Sequence, residues 1–408
     1  MRMDYPEVLN DFAAAPQPRQ RRWVMFALCV WVLLFAGDWV ARWKVFRWQD
    51  QWWPAPVTLP QSGPAAASKP TVHHVPDQVG AGLTKMVPLS WVAAPYAEFH
   101  PGYVVQRDAY GYCNAPAVDG RGYAVVVLGD SFMLALGTQT VAQVLAEVSG
   151  LSVYNHAQQG AGPFMEMRRF LASDRFDPPP RFVVWNLSAR ELGAPLFQRQ
   201  PIDYWFSQRS QESRAQNSAV SGISWEYLKP SALHGSWPNT SLISFWSRHL
   251  WAQARLLVFR AWPHDVLGAE DPQYGPMLFY RENLRMLPLL VPEHNAMPIV
   301  KVVTRVAQRF RERGITLVVL LVPEKEQIHV AALPAADQKA LAHGPELLAA
   351  IHGGLISNGV ASVNLLPKFR TVTAQGTRLY WRDDTHWNDA GIRLAAEELW
   401  RVMEPLGP

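Results

Sequence analysis

The chain has 408 residues, 49% of them hydrophobic, enough to bury a sizeable core and too many for a disordered polymer. Its formal charge of +4 is spread along the length, with no basic block interleaved with aromatics, which argues against a nucleic-acid partner. The two cysteines, Cys29 and Cys113, exclude a fold built on disulfides and supply no zinc pattern.

Residues 1–18 are polar, carry Pro16 and Pro18, and read as a short cytoplasmic tail. From Trp23 to Ala41 only Asp38 is charged, about the length a helix needs to cross a bilayer. Trp23, Trp39 and Trp43 band its two ends, as expected at membrane interfaces. Arg19, Arg21 and Arg22 precede the run and favour a cytoplasmic N-terminus, although Arg42, Lys44 and Arg47 follow it. No small-x-small cleavage site follows. Residues 19–43 are therefore expected to form an uncleaved, single-pass signal anchor in a bacterial inner membrane, with the remainder periplasmic. Residues 44–75 then read as a juxtamembrane segment and a semi-extended linker, "PAPVTLPQSGPAAASKP" being rich in Pro, Ala and Ser.

From residue 76 onward the pattern alternates. Apolar, β-rich runs occur at 124–128, 151–155, 182–187, 315–322 and 360–364. Helical patterns lie between or after them at 138–149, 299–313 and 389–403. In the second, Ile299, Val302, Val303, Val306 and Phe310 share one face and Gly314 ends it. Continuous apolar strands alternating with amphipathic helices predict an α/β fold: a parallel sheet of about five strands covered on both faces. Residues 193–295 break this rhythm and read as an insertion carrying Trp205, Trp225, Trp237, Trp246, Trp251 and Trp262.

Such sheets bind ligands beyond the carboxyl ends of their strands. Four loops there carry informative residues: Gly129-Asp130-Ser131-Phe132, Asn155 to Pro163, Asn186 to Gly193, and Trp381 to Gly391. A serine needs an adjacent base to attack, and histidine paired with a carboxylate supplies one. His386 with Asp383 or Asp384 offers that pair, and Ser131 the nucleophile. Taken singly each has an ordinary explanation, Ser131 as a helix cap and His386 as a packed ring. Together, at one sheet edge, they point to acyl transfer.

In these blocks the chain resembles the SGNH (GDSL-type) hydrolase and acyltransferase superfamily, over residues 99 to 405 without the insertion. Gly129, Asp130 and Ser131 match the nucleophile turn after the first strand. Asn155 and Gly160 match the spacing of the block that supplies an oxyanion-hole glycine, and "DDTH" matches the Asp–His block before the last helix. The resemblance implies a flavodoxin-like fold without a cofactor or metal, and an oxyanion hole from the N–H groups of Ser131 and Gly160. The third block departs from the family, placing Arg190 where an asparagine is expected and Asn186 on the strand, so both are candidates for the third donor. The common Asp-x-x-His spacing selects Asp383. The "DTHW" form, like "VPEKE" and "VNLLPKF", is similar to the membrane-linked acetyltransferases of alginate O-acetylation, and that form selects Asp384, which is preferred here. In those proteins the Asp–His block precedes the serine, whereas here it follows.

The expected function is a periplasmic O-acyltransferase modifying an exported polysaccharide, its acyl donor relayed by a multispanning membrane protein. The alternatives are an esterase or deacetylase with the same triad, and a non-catalytic polysaccharide-binding export component. Exposed tryptophans of the insertion, among them Trp205, Trp225 and Trp237, are expected to line the acceptor site.

Overall fold

The computed structural model describes residues 71–87, 90–115, 122–134, 138–173, 175–212 and 265–407, with isolated positions in 25–33 and 251–262. Nearly all of these fall in one compact unit, residues 56–222 and 255–408. Its centre is a sheet of β1 (Val125–Gly129), β2 (Val153–Ala157), β3 (Phe182–Ser188), β4 (Thr316–Val322) and β5 (Ala361–Asn364). The strands lie in the order 5-4-3-1-2 and every pairing is parallel. Each starts or ends within two residues of the run the sequence marks out, because β-branched and leucine side chains fill both faces of the pleat.

Alternation along the strands builds two cores. Val126 and Leu128 of β1 point to one face, where α2 (Gly162–Ala172), α3 (Pro292–Arg311) and α4 (Gly344–Ser357) pack through Phe170, Val303, Phe310 and Ile351. Val125 and Val127 point to the other, against α1 (Val141–Ser149), α5 (Leu365–Ala374) and α6 (Asp389–Met403) through Leu145, Phe369, Ala396 and Leu399. Each of these side chains larger than alanine, fully buried, contributes about 1.5–3 kcal/mol.

Helix starts depart from expectation for identifiable reasons. α1 begins at Val141 rather than 138, since Thr140 and Gln143 form a reciprocal capping box. Thr138 instead donates to the Asp389 carboxylate at the head of α6. α3 begins seven residues before 299. Pro292 occupies its first turn, where a missing N–H costs nothing, and buried Asn295 ties it to Ala194 N–H (2.8 Å).

The expected linker over 44–75 ends earlier than its composition suggests. Thr71–Val75 is a strand paired antiparallel with Tyr103–Arg107, and Val75 and Val105 are buried. A shorter pair joins Gln78–Val79 to Phe99–His100. Within 193–295, Ala194–Gln198 and Ile202–Glu212 are helical, and Val266–Asp271 and Gly275–Tyr280 form a hairpin. The insertion is thus partly regular structure that completes the core. Trp205 is buried with Phe164 (5.9 Å between centroids), so it fills the core and cannot line an acceptor site. Trp225, Trp237 and Trp246 lie outside the described residues, as does most of the expected anchor over 19–43. Among the described residues no helix is long and apolar enough to cross a membrane.

Candidate active site

β1 and β3 flank the point where the strand order reverses, and there the chain leaves β1 as Asp130-Ser131. The turn is held largely from within. The Asp130 carboxylate accepts hydrogen bonds from Phe132 N–H (2.9 Å) and from the Asn186 side-chain amide (2.9 Å). Met133 N–H donates to Asp130 O, and the Asn155 side chain donates to Met133 O. Ser131 opens no regular helix; it stands at the turn's apex with its Oγ 2.8 Å from His386 Nε2.

His386 arrives on the loop between α5 and α6. That loop is fixed to the serine turn by Trp387, whose Nε1–H donates to Phe132 O (2.9 Å), with the Phe132 ring edge-on to the indole. His386 Nδ1 lies 2.5 Å from Asp384 Oδ1, and the same oxygen accepts His386 N–H (3.0 Å). With Nδ1–H donating to the carboxylate, Nε2 is the acceptor for the serine O–H. Burial opposes ionisation of Asp384, but the His386 ring and the two hydrogen bonds outweigh it and hold the carboxyl at about 2.

The two adjacent aspartates therefore do different things. Asp383, fully buried, faces away from His386. It accepts Ala81 N–H (3.0 Å) and Glu98 N–H (3.0 Å) and pairs with His100 Nε2 (2.8 Å). The alternative that Asp383 orients His386 is corrected by this geometry: its oxygens are occupied by the segment 81–100. That segment also presses on Asp384, since Gly82 has φ +42 and any side chain there would collide with the Asp384 carboxylate.

The other expected donors are placed as follows. Gly160, at φ +68 where glycine is favoured, lies in the turn after β2, which is joined to the serine turn by Gln158 N–H donating to Gly129 O. Asn186 is 1% exposed and its amide nitrogen is taken by Asp130, so it braces the turn from below rather than facing a reacting oxygen. Arg190 is similarly engaged. Its guanidinium pairs with Glu324 (3.3 Å) and Asp130 (3.6 Å) and lies over the Phe132 ring, while its N–H donates to Glu324 Oε1. Burial pushes Glu324 up to about 7, although Arg190 pulls the other way. Both candidates for a third donor are thus second-layer supports.

Sequence reasoning missed Glu324 and Lys325, although it quotes "VPEKE". Glu324, Lys325 and Glu326 are all fully buried. Three consecutive charges ordinarily mark a solvated surface; the available signal was their position directly after β4, at the ligand-binding edge.

Residues 75–189 and 278–407 match the family described as "SGNH hydrolase-like domain, acetyltransferase AlgX". The chain belongs to this AlgX family. The stretch omitted by the match, 190–277, begins just before the insertion and ends inside it. A Pseudomonas fluorescens protein named "Probable alginate O-acetylase AlgJ" is 25% identical over 166 residues, 39% of this chain and 39% of that protein. The matched stretch is therefore well under two thirds of that relative. Solved structures similar to the AlgX-type domain include a catalytic mutant of an acetylxylan esterase from Geobacillus stearothermophilus. It is 12% identical, with 70% of this chain and 95% of that chain covered and a TM-score of 0.33. Phospholipase A1 from Streptomyces albidoflavus is 12% identical, covering 71% and 100%, with a TM-score of 0.35. The chain carries the SGNH hydrolase-like domain of this family.

Proposed function

We propose that this AlgX-family protein is a membrane-anchored, periplasmic O-acyltransferase that modifies an exported polysaccharide through an acyl-serine. The observation that carries the reading is the hydrogen-bonded run from Ser131 Oγ through His386 to Asp384. His386 Nε2 takes the serine proton as Oγ attacks the acyl carbonyl, and Asp384 stabilises the resulting imidazolium. The N–H groups of Ser131 and Gly160 hold the oxyanion, usually the largest catalytic contribution. Collapse expels the donor's leaving group with the proton from His386. In the second half His386 removes the proton of an acceptor hydroxyl, which attacks the acyl-serine and regenerates Ser131. The AlgJ resemblance supports a polysaccharide acceptor and an acetyl group, and the apolar run within 19–43 supports the anchor. A donor on the far side of the membrane requires a multispanning protein to deliver the acyl group.

The test uses the full chain in detergent with p-nitrophenyl acetate, with and without an oligosaccharide. Mass spectrometry is expected to find acetyl on Ser131, the oligosaccharide is expected to become acetylated, and Ser131→Ala is expected to do neither. An adduct on another serine, or unchanged turnover in Ser131→Ala, overturns the assignment. Acetyl-Ser131 that discharges only to water favours an esterase.

A further inference from the structure

The loop carrying Asp384 and His386 is gripped from behind by a buried lysine. Lys325 opens a short helical turn after β4, and its Nζ donates to four main-chain carbonyls. These are Trp381 O at 2.6 Å, Leu278 O at 2.7 Å, Arg382 O at 2.8 Å and Asp384 O at 3.1 Å. Four carbonyl dipoles aimed at one point repel each other unless a cation sits there, and each one buried without a donor is costly. An ammonium has three N–H groups, so at least one is shared. Three of the carbonyls belong to the residues leading into the His386 turn. The fourth, Leu278, also donates its N–H to Arg382 O and so closes the clamp.

We propose that Lys325 is a positioning residue for the reaction: its ammonium sets the path of residues 381–384, so that the Asp384 carboxylate and His386 ring reach Ser131. This rests on the acyl-serine reading above. Lys325 touches no reacting atom and acts only through the loop. A displacement of about 1 Å in such a constellation costs roughly 100-fold in rate.

The clamp is sensitive to pH. Burial brings Lys325 down to about 8, against the opposing pull of Glu326 on its own turn, Asp383 and Asp384 on the loop, and Glu98 from the N-terminal segment. The Phe279 ring lies 5.2 Å from Nζ on the remaining side. Above that pH the neutral amine keeps two N–H groups for four carbonyls, and the loop loosens. Stability moves the other way. Between about 8 and the ordinary 10.5 the unfolded chain binds the proton more than the folded one, so Lys325 itself stabilises the fold as pH rises. Falling turnover without a falling melting temperature is therefore its signature.

The experiment measures p-nitrophenyl acetate turnover and melting temperature of the full chain from about pH 6.5 to 9.5, with Ser131→Ala as background. Wild type is expected to lose kcat with a midpoint near pH 8 at an undiminished melting temperature. Lys325→Gln is expected to lower neutral-pH kcat about 100-fold, to leave KM within about threefold, and to show no alkaline limb. Wild-type kcat that stays flat to pH 9.5 overturns the proposal without any variant. A folded Lys325→Gln with wild-type kcat and limb overturns it while leaving the acyl-serine reading intact. Turnover retained by Ser131→Ala removes that reading, and the clamp's purpose with it.

Discussion

The serine turn and the Asp–His loop meet at 2.8 Å, yet they are built on opposite plans. Ser131 follows directly from a buried strand, and most of what fixes it lies within three residues or on the two neighbouring strands. The loop from Leu379 to Asn388 has a few ties of its own, among them Trp381 N–H to His386 O and Asn388 N–H to Leu379 O. Otherwise it is held by groups remote in sequence: Lys325 behind, Ala81, Glu98 and His100 at Asp383, and Phe132 at Trp387. The serine turn is a local construction and the Asp–His loop a global one. Changes near the loop should therefore be felt in rate, whereas changes near the serine turn should be absorbed.

The sharpest break in that comparison is expected from Asp384→Asn. It removes the carboxylate charge that faces His386 and forces the wrong tautomer, and kcat for ester turnover should fall by about 10⁴-fold with the fold intact. A loss below tenfold would mean that another group orients His386. The loop's stability contribution from Asp384 is present above the ordinary carboxyl value of 3.8 and is lost as pH falls through about 2.

Asp383→Asn should be milder in rate and heavier in stability. Its new amide cannot accept the three donors that converge on the carboxylate, and about 2–3 kcal/mol should be lost in denaturant unfolding. Turnover should drop about tenfold through loosening of the loop. A larger rate loss than Asp384→Asn would invert the assignment of the pair.

The smallest effect belongs to the local side. Thr140→Ala breaks the capping box of α1 and should cost about 1 kcal/mol, lowering the melting temperature by about 2 °C. Ester kcat should remain within twofold of wild type; a tenfold loss would show that the serine turn depends on the helix after it.

The same contrast explains what the sequence discloses. Five strands are visible as apolar runs because sheet burial acts on every residue of each run, and Ser131 is visible because a strand end dictates its turn. The pair Asp383-Asp384 is ambiguous in sequence because both spacings suit a loop, and only residues roughly 300 positions upstream occupy one of the two carboxylates. Lys325 is hidden because burial of three consecutive charges is decided by carbonyls from Leu278 and the 381–384 loop. Trp205 misleads for the converse reason: its helix lies in a stretch whose sequence shows no clear rhythm, so the indole carries no local sign of which side it faces.

The separation of 255 residues between Ser131 and His386 also sets an order of events during synthesis. A nascent chain that has emerged as far as the turn after β4 already carries Ser131, Gly160 and Lys325 but not His386, the base of the proposed mechanism. On the proposed mechanism reactivity toward esters arrives with the last loop, where Trp387 bonds Phe132 and α6 packs beside α1. Ester turnover is then a readout of finished folding: ribosome-stalled intermediates ending before Trp387 should be silent toward activated esters.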